Sequence, residues 1–85
     1  MEKFTYTIKD ELGIHARPAG MLAKKAKEFK SVITIEMNGK SANLEKLMAV
    51  MGMGVKHGDT VTITSDGADE IEASSEMKKF LSENL

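Results

Sequence analysis

The only proline of the chain, Pro18, stands between two segments whose apolar residues repeat with different periods. Before it, Phe4-Thr5-Tyr6-Thr7-Ile8 alternates apolar and polar residues, which is the period of a half-buried strand. After it, apolar residues recur at helical spacing at Ala19, Leu22, Ala23, Ala26 and Phe29. Because proline has no N–H, it is tolerated only in the first turn of a helix. The sequence therefore predicts a helix that begins near Ala16, with His15 at its N-cap.

His15 would then lie beside the unpaired backbone N–H groups of a helix start. These amides and the positive end of the helix dipole can hold a phosphate, and a neutral imidazole is a nucleophile. The backbone of Ala16 and Arg17 would bind phosphate oxygens, and the Arg17 guanidinium would neutralise their charge. Two interpretations stay open from the spacing alone. His15 is either a phosphorylated nucleophile or a histidine that only caps the helix beside a solvated arginine.

Turn and helix signals predict the remaining elements. Asn38-Gly39 between alternating runs is a strong hairpin signal, and Asp69 with Glu72 three residues later predicts a capping box for the last helix. The predicted elements are strand 2–8, helix 16–28, strand 32–37, strand 40–43, helix 46–52, strand 60–65 and helix 69–83. This β-α-β-β-α-β-α order predicts an α/β (α+β) two-layer open-faced sandwich, with a four-stranded antiparallel sheet covered on one face by three helices.

Size and charge limit the classes of function. The 85 residues suffice for one domain, residues 1–85, and a net charge of −1 argues against nucleic-acid binding as the main activity. The chain has no cysteine for a disulfide or a Cys-based metal site, and no apolar run long enough to span a bilayer. His57 precedes Gly58-Asp59 without a second ligand at metal spacing, and we predict that it is a surface turn residue. We expect a cytoplasmic monomer without metal or organic cofactor, and without insertion into a membrane.

Two surfaces stand out on the predicted helices. Steps of 100° place one set on the outer face of the first helix, namely Arg17, Gly20, Met21, Lys24 and Lys27. The basic residues of this region are Arg17, Lys24, Lys25, Lys27 and Lys30. They form either a solvated face or a docking surface for an acidic partner around His15.

The segment 47–53 is apolar on all sides, although a short helix on a sheet can bury only one side. We predict that Leu44, Val50 and Met53 lie in the core. We predict that the exposed residues are Leu47, Met48 and Met51. Methionine side chains adapt to several partners, which favours a docking surface. A fully enclosed helix and a self-association face are the alternatives.

The segment Gly-Ile-His-Ala-Arg-Pro-Ala at 13–19 resembles the active-site signature of the histidine-containing phosphocarrier (HPr) family of the bacterial phosphoenolpyruvate-dependent sugar phosphotransferase system. Asn-Gly-Lys-Ser-Ala-Asn-Leu at 38–44 resembles the family's central hairpin, and the similarity extends from Phe4 to Leu81. The resemblance implies the same open-faced sandwich. It also implies that His15 accepts phosphate from phosphorylated enzyme I and passes it to sugar-specific enzyme IIA domains. Such a protein is a stoichiometric carrier rather than a stand-alone enzyme.

The resemblance further implies which residues contact partners, because the second helix of this family lies next to the active histidine. The predicted docking residues are Gly20, Met21, Lys24, Lys27, Leu47, Met48, Met51 and Gly52. Lys46 stands where many members carry a regulatory serine, so the serine-kinase switch is not expected here. The alternative function is a regulatory paralogue that acts as an adaptor or serves a non-sugar phosphotransfer chain. The presence of both His15 and Arg17 favours the carrier.

Overall fold

The computed structural model describes residues 1–85 and contains four strands and three helices. In chain order they are β1 (Glu2–Thr7), α1 (Ala16–Ala26), β2 (Val32–Met37), β3 (Lys40–Asn43), α2 (Leu47–Gly52), β4 (Thr60–Asp66) and α3 (Glu70–Asn84). The strands form one antiparallel sheet in the order β1-β4-β2-β3. The predicted open-faced sandwich is confirmed. None of the three helices combines the length and the apolar character that crossing a membrane requires.

The sheet is apolar on one face because β4, at its centre, alternates strictly. Val61 and Ile63 are buried, whereas Thr60, Thr62 and Thr64 of the same strand are at least partly exposed. In the register, Ile63 lies opposite a core-facing residue on each neighbouring strand, Phe4 on β1 and Ile35 on β2. The helices cover this apolar face of the sheet. The threonines of β4 lie on the opposite face, which no helix covers.

The core joins every layer of the fold through side chains that are almost completely buried. Its largest members include Leu22 of α1, Ile35 of β2, Ile63 of β4 and Leu81 of α3, each at most 1% exposed. These residues hold α1 and α3 against the sheet.

Local turn chemistry decides two boundaries. Asn38 and Gly39 both have positive φ, 51° and 82°, as the predicted two-residue hairpin between β2 and β3 requires. The predicted helix 16–28 instead ends at Ala26. Beyond it the N–H groups of Glu28 and Phe29 donate to carbonyls three residues back, at 3.1 and 3.3 Å, so the chain tightens into a turn.

The predicted capping box of α3 is wrong. Asp69 is the N-cap residue, but its carboxylate makes no cap hydrogen bond and accepts the backbone N–H groups of Lys30 and Ser31, both at 2.8 Å. It also accepts the Ser31 hydroxyl. Glu70, rather than Glu72, reaches back to a backbone N–H, that of Gly67 at 3.2 Å. Three donors on the α1–β2 turn outcompete the local cap and tie that turn to the start of α3.

Candidate functional site

His15 lies immediately before α1 with an extended backbone, φ −101° and ψ −171°. Its carbonyl accepts the Ala19 N–H at 2.9 Å, which starts the helix, but its imidazole makes no cap hydrogen bond. His15 is thus the N-cap residue by position, and its imidazole does not cap the helix. The side chain is half-buried and has no hydrogen-bond partner, so its nitrogens are free for chemistry.

The first turn of α1 leaves two backbone donors without an acceptor. The N–H groups of Ala16 and Arg17 make no hydrogen bond within the protein, and Pro18, the third helical residue, has no N–H. No acidic residue occupies this turn. Two free amides at the positive end of the helix thus lie beside an unpartnered imidazole, an arrangement that suits a phosphoryl group.

The β1–α1 loop holds His15 in place through Gly13 and Ile14. The Ile14 N–H donates to the Val55 carbonyl at 3.0 Å, and the Ile14 side chain is buried. Gly13 has φ +68°, and a Cβ atom there would lie 2.4 Å from the same Val55 oxygen and 2.6 Å from Lys56 Cα. Only glycine allows the two loops to approach this closely. The position of His15 therefore depends on the α2–β4 loop as well as on α1.

His15 and Arg17 share a shallow depression of about 160 Å³. Its lining residues are Asp10, His15, Arg17, Pro18, Met21 and Asn84. Arg17 is exposed and makes no ion pair or hydrogen bond, so its guanidinium is available to an anion. The structure thus brings together the two side chains that the sequence singled out for phosphate chemistry.

Sequence reasoning missed Asp10 and Asn84 as neighbours of His15. Asp10 could have been noticed from its local sequence, because aspartate is typical of an Asx turn. In the structure its Oδ1 accepts the Leu12 N–H at 2.8 Å in such a turn. Asn84 carries no such signal, since it lies at the far end of the chain from His15. The C-terminal end of α3 reaches the site because the N–H groups of Lys9 and Asp10 donate to the Leu85 main-chain oxygen, at 2.6 and 2.8 Å.

The apolar residues of α2 and of the segments on either side of it divide between core and surface as predicted. Leu44, Val50 and Met53 are at most 6% exposed. The outward-facing side chains are Leu47 at 38%, Met48 at 77% and Met51 at 36%. The interpretation of α2 as fully enclosed is therefore wrong.

The outer face of α1 adjoins this surface, since α1 packs against α2. Met21 and Lys24 are exposed on α1, Lys27 is exposed directly after it, and Gly52 is exposed at the end of α2. Gly20 is half-buried. The eight predicted docking residues thus lie on two neighbouring helices and at Lys27, the residue that follows α1. We call them the docking face.

One lysine of the predicted basic cluster points elsewhere. Lys25 Nζ lies 3.6 Å from Glu28 and 3.5 Å from Glu76 of α3, and 5.9 Å from the centre of the Phe29 ring. It belongs to the contact between α1 and α3 and not to the surroundings of His15. The remaining basic residues are exposed and make no ion pair, namely Arg17, Lys24, Lys27 and Lys30.

The second histidine, His57, is exposed in the turn before β4, as predicted. Its Nδ1 lies 3.1 Å from the Lys9 carbonyl oxygen, which links this turn to the β1–α1 loop. No group of three His, Asp or Glu side chains is placed to hold a metal ion. His57 therefore contacts the β1–α1 loop and is not part of a metal site.

Comparisons with known proteins agree with this geometry. The family model described as the PTS HPr component phosphorylation site matches residues 2–83. The phosphocarrier protein HPr of Mycoplasma genitalium is 44% identical over 85 residues, covering 99% of this chain and 97% of that protein.

Two solved structures are similar throughout. A histidine-containing phosphocarrier protein from Mycoplasma has 46% identity and a TM-score of 0.90, with 93% of this chain and 90% of that one covered. The HPr protein from Thermoanaerobacter tengcongensis has 34% identity and a TM-score of 0.92, with 96% and 92% covered. The similarity therefore covers the sequence and the fold over nearly the whole chain.

Proposed function

The chain belongs to the HPr family of phosphocarrier proteins, and we propose that His15 accepts a phosphoryl group from phosphorylated enzyme I and passes it to sugar-specific enzyme IIA domains. The observation that carries the proposal is the coincidence at one helix start of an unpartnered imidazole, two free amides and an unpaired guanidinium. In this role the protein acts as a cytoplasmic monomer and is consumed and regenerated stoichiometrically, without a metal or an organic cofactor.

The chemistry is an exchange of one bond to phosphorus for another. A nitrogen of the neutral His15 ring attacks the phosphorus in line, a new N–P bond forms, and the bond between phosphorus and the donor's side chain breaks. The departing donor group takes the electron pair of that bond. Transfer to an acceptor repeats the step in the opposite sense. The shallow, open depression suits this exchange, because two proteins must bring their reacting side chains within a few ångströms of each other.

Each neighbouring group has a part in holding the transferred phosphoryl group. The Ala16 and Arg17 N–H groups donate to its oxygens, and the Arg17 guanidinium offsets its charge from the side. Lys24 and Lys27 extend the positive field across the outer face of α1 and attract an acidic partner. The exposed apolar side chains of α2 supply an adaptable contact that serves the donor and the acceptor in turn.

Lys46, the N-cap residue of α2, is exposed at the edge of the docking face. Lysine has no hydroxyl, so a phosphate ester cannot form at this position. A phosphoserine there would add up to two negative charges to a surface that we propose for an acidic partner. We therefore propose that the relay cannot be blocked at position 46.

The test is phosphorylation with labelled phosphoenolpyruvate and purified enzyme I. The unaltered protein should gain one acid-labile phosphate, and His15→Ala should gain none. Because the His15 imidazole makes no hydrogen bond, this variant should keep the circular dichroism spectrum and thermal midpoint of the parent. The matched control is His57→Ala, which should be labelled normally. Labelling of His15→Ala, or failure of the unaltered protein to be labelled, would overturn the proposal.

A further inference from the structure

Leu12 is an apolar side chain that the β1–α1 loop holds out in solvent, with 72% of its surface exposed. Its N–H donates to Asp10 Oδ1 at 2.8 Å, and the next N–H, that of Gly13, donates to the Asp10 carbonyl at 3.0 Å. Gly13 is in turn wedged against Val55 and Lys56. These contacts hold the backbone of Leu12 and Gly13 in place. The turn that they form leaves the Leu12 side chain in solvent.

Leu12 lies close enough to His15 for one protein interface to reach both residues. Leu12 is three positions before His15, so their Cα atoms are at most about 11 Å apart. A small specific interface buries about 600 Å² on each partner, which corresponds to a disc of about 14 Å radius. The distance between Leu12 and His15 is therefore smaller than the radius of such an interface.

Leu12 lies outside the docking face. That face lies on α1, on α2 and on Lys27 at the end of α1, whereas Leu12 belongs to the loop that precedes α1. The loop also contributes Asp10 to the depression that contains His15 and Arg17. Exposed apolar surface is therefore present on the loop as well as on the helices beside the reacting histidine.

We propose that Leu12 is a partner-contacting residue, buried against an apolar side chain of enzyme I when this donor transfers its phosphoryl group to His15. This inference rests on the proposed phosphocarrier function and deepens it, because it extends the contact surface from α1 and α2 onto the β1–α1 loop. Leu12 contributes binding and takes no part in the bond exchange. Its loss therefore weakens the encounter and leaves the transfer step itself unchanged.

The experiment treats the protein as the substrate of enzyme I and separates KM from kcat. Leu12→Ser should raise KM by about 5- to 30-fold, the range expected when one leucine side chain is lost from an interface, and leave kcat unchanged. Leu12→Ala should act in the same direction, and Leu12→Met should retain the parent KM. The matched control is Ile71→Ser on α3, since Ile71 is 73% exposed but has no place near His15. The control should leave both constants unchanged.

The outcomes separate this inference from the function on which it rests. An unchanged KM in Leu12→Ser and Leu12→Ala, with the unaltered protein phosphorylated normally, overturns the inference alone. A fall in kcat at constant KM also overturns it, because it would assign Leu12 to the transfer step. An equal rise of KM in Leu12→Ser and Ile71→Ser would show that any exposed apolar side chain has this effect when replaced by serine, and it would also overturn the inference. Failure of the unaltered protein to be phosphorylated overturns both proposals.

Discussion

The first turns of α1 and α3 offer the same backbone chemistry in opposite electrostatic surroundings. In α3 the N–H groups of Ile71 and Glu72 make no hydrogen bond, just as those of Ala16 and Arg17 make none in α1. The first turn of α1 contains no acid, whereas the first turn of α3 carries two, Glu70 and Glu72. Free amides alone therefore do not define an anion site, and the two helix starts differ in the charges around these amides.

Cavity size gives the opposite ranking of the two helix starts. The depression beside α3 measures about 730 Å³, against about 160 Å³ beside His15. The carboxylates that line the larger one are Asp69, Glu70, Glu72 and Glu76. An incoming phosphate would meet like charges there, and no lysine or arginine is among the lining residues. The smaller depression contains Arg17, His15 and a single carboxylate, that of Asp10.

Removal of the guanidinium from the α1 site should have the largest effect among the changes that spare His15. Arg17→Ala should slow phosphoryl transfer by about 10- to 100-fold, because a charge-assisted contact to phosphate contributes about 1.5–3 kcal/mol. Rapid-quench measurement of the formation and discharge of the phosphorylated protein checks this. Arg17→Lys should recover only part of the rate, because lysine keeps the charge and loses the planar fork. Rates equal to those of the parent would show that Arg17 is only a solvated charge. The positive charge of Arg17 would then no longer distinguish the start of α1 from that of α3.

A charge placed on the docking face should have a smaller effect, about tenfold, because it acts on binding alone. Met48→Asp should raise KM for enzyme I and for the IIA domain together, since it would bury an unpaired carboxylate at an apolar contact. Ile71→Asp makes the same change at a similarly exposed site on α3 and should leave transfer unaffected. If both variants are impaired equally, the two surfaces do not differ in function. If neither is impaired while both are folded, α2 does not contact the partners.

Features encoded by neighbouring residues could be predicted from the sequence. Pro18 marks the start of α1 because its missing N–H is harmless only there, and Asn38-Gly39 forms the hairpin because both residues accept positive φ. The inward and outward faces of α2 followed from the rule that a helix on a sheet buries one side. The sequence also predicted that His15 and Arg17 lie together at the start of α1, and both line the same depression.

Features that depend on distant partners could not be predicted. Asp69 carries a good local capping signal, yet its carboxylate binds Ser31, 38 residues away, because the folded chain presents three donors there. Lys25 looked like one more charge near His15 until the packing of α3 placed Glu76 within 3.5 Å. Asn84 reaches the depression only through the folded position of α3. Each case is decided by the packing of α3, which no pattern within one segment encodes.

The charge at the start of α3 should affect stability and leave transfer unchanged. The Ser31 hydroxyl and the Lys30 N–H hold the pKa of Asp69 below its usual value of 3.8. A carboxyl whose pKa is lowered in the folded state stabilises the protein fully at pH values above its pKa in the unfolded state. This contribution is lost as the pH falls through the pKa of the folded state. Asp69→Asn should therefore lower the thermal midpoint at pH 7, and the gap to the parent should narrow as the pH falls below about 4.

The matched control for this change is Glu72→Gln, which removes another carboxylate from the same turn but one that makes no hydrogen bond or ion pair. Its thermal midpoint should differ less from that of the parent at every pH. Glu70 would be a poor control, because the Met1 ammonium and the Gly67 N–H also hold its pKa below the usual value, so it titrates in the same direction. Both Asp69→Asn and Glu72→Gln should be phosphorylated by enzyme I at the parent rate at neutral pH. A slower rate in Asp69→Asn at a temperature where it is fully folded would show that the tie between the α1–β2 turn and α3 reaches His15, and the two helix starts would no longer be independent.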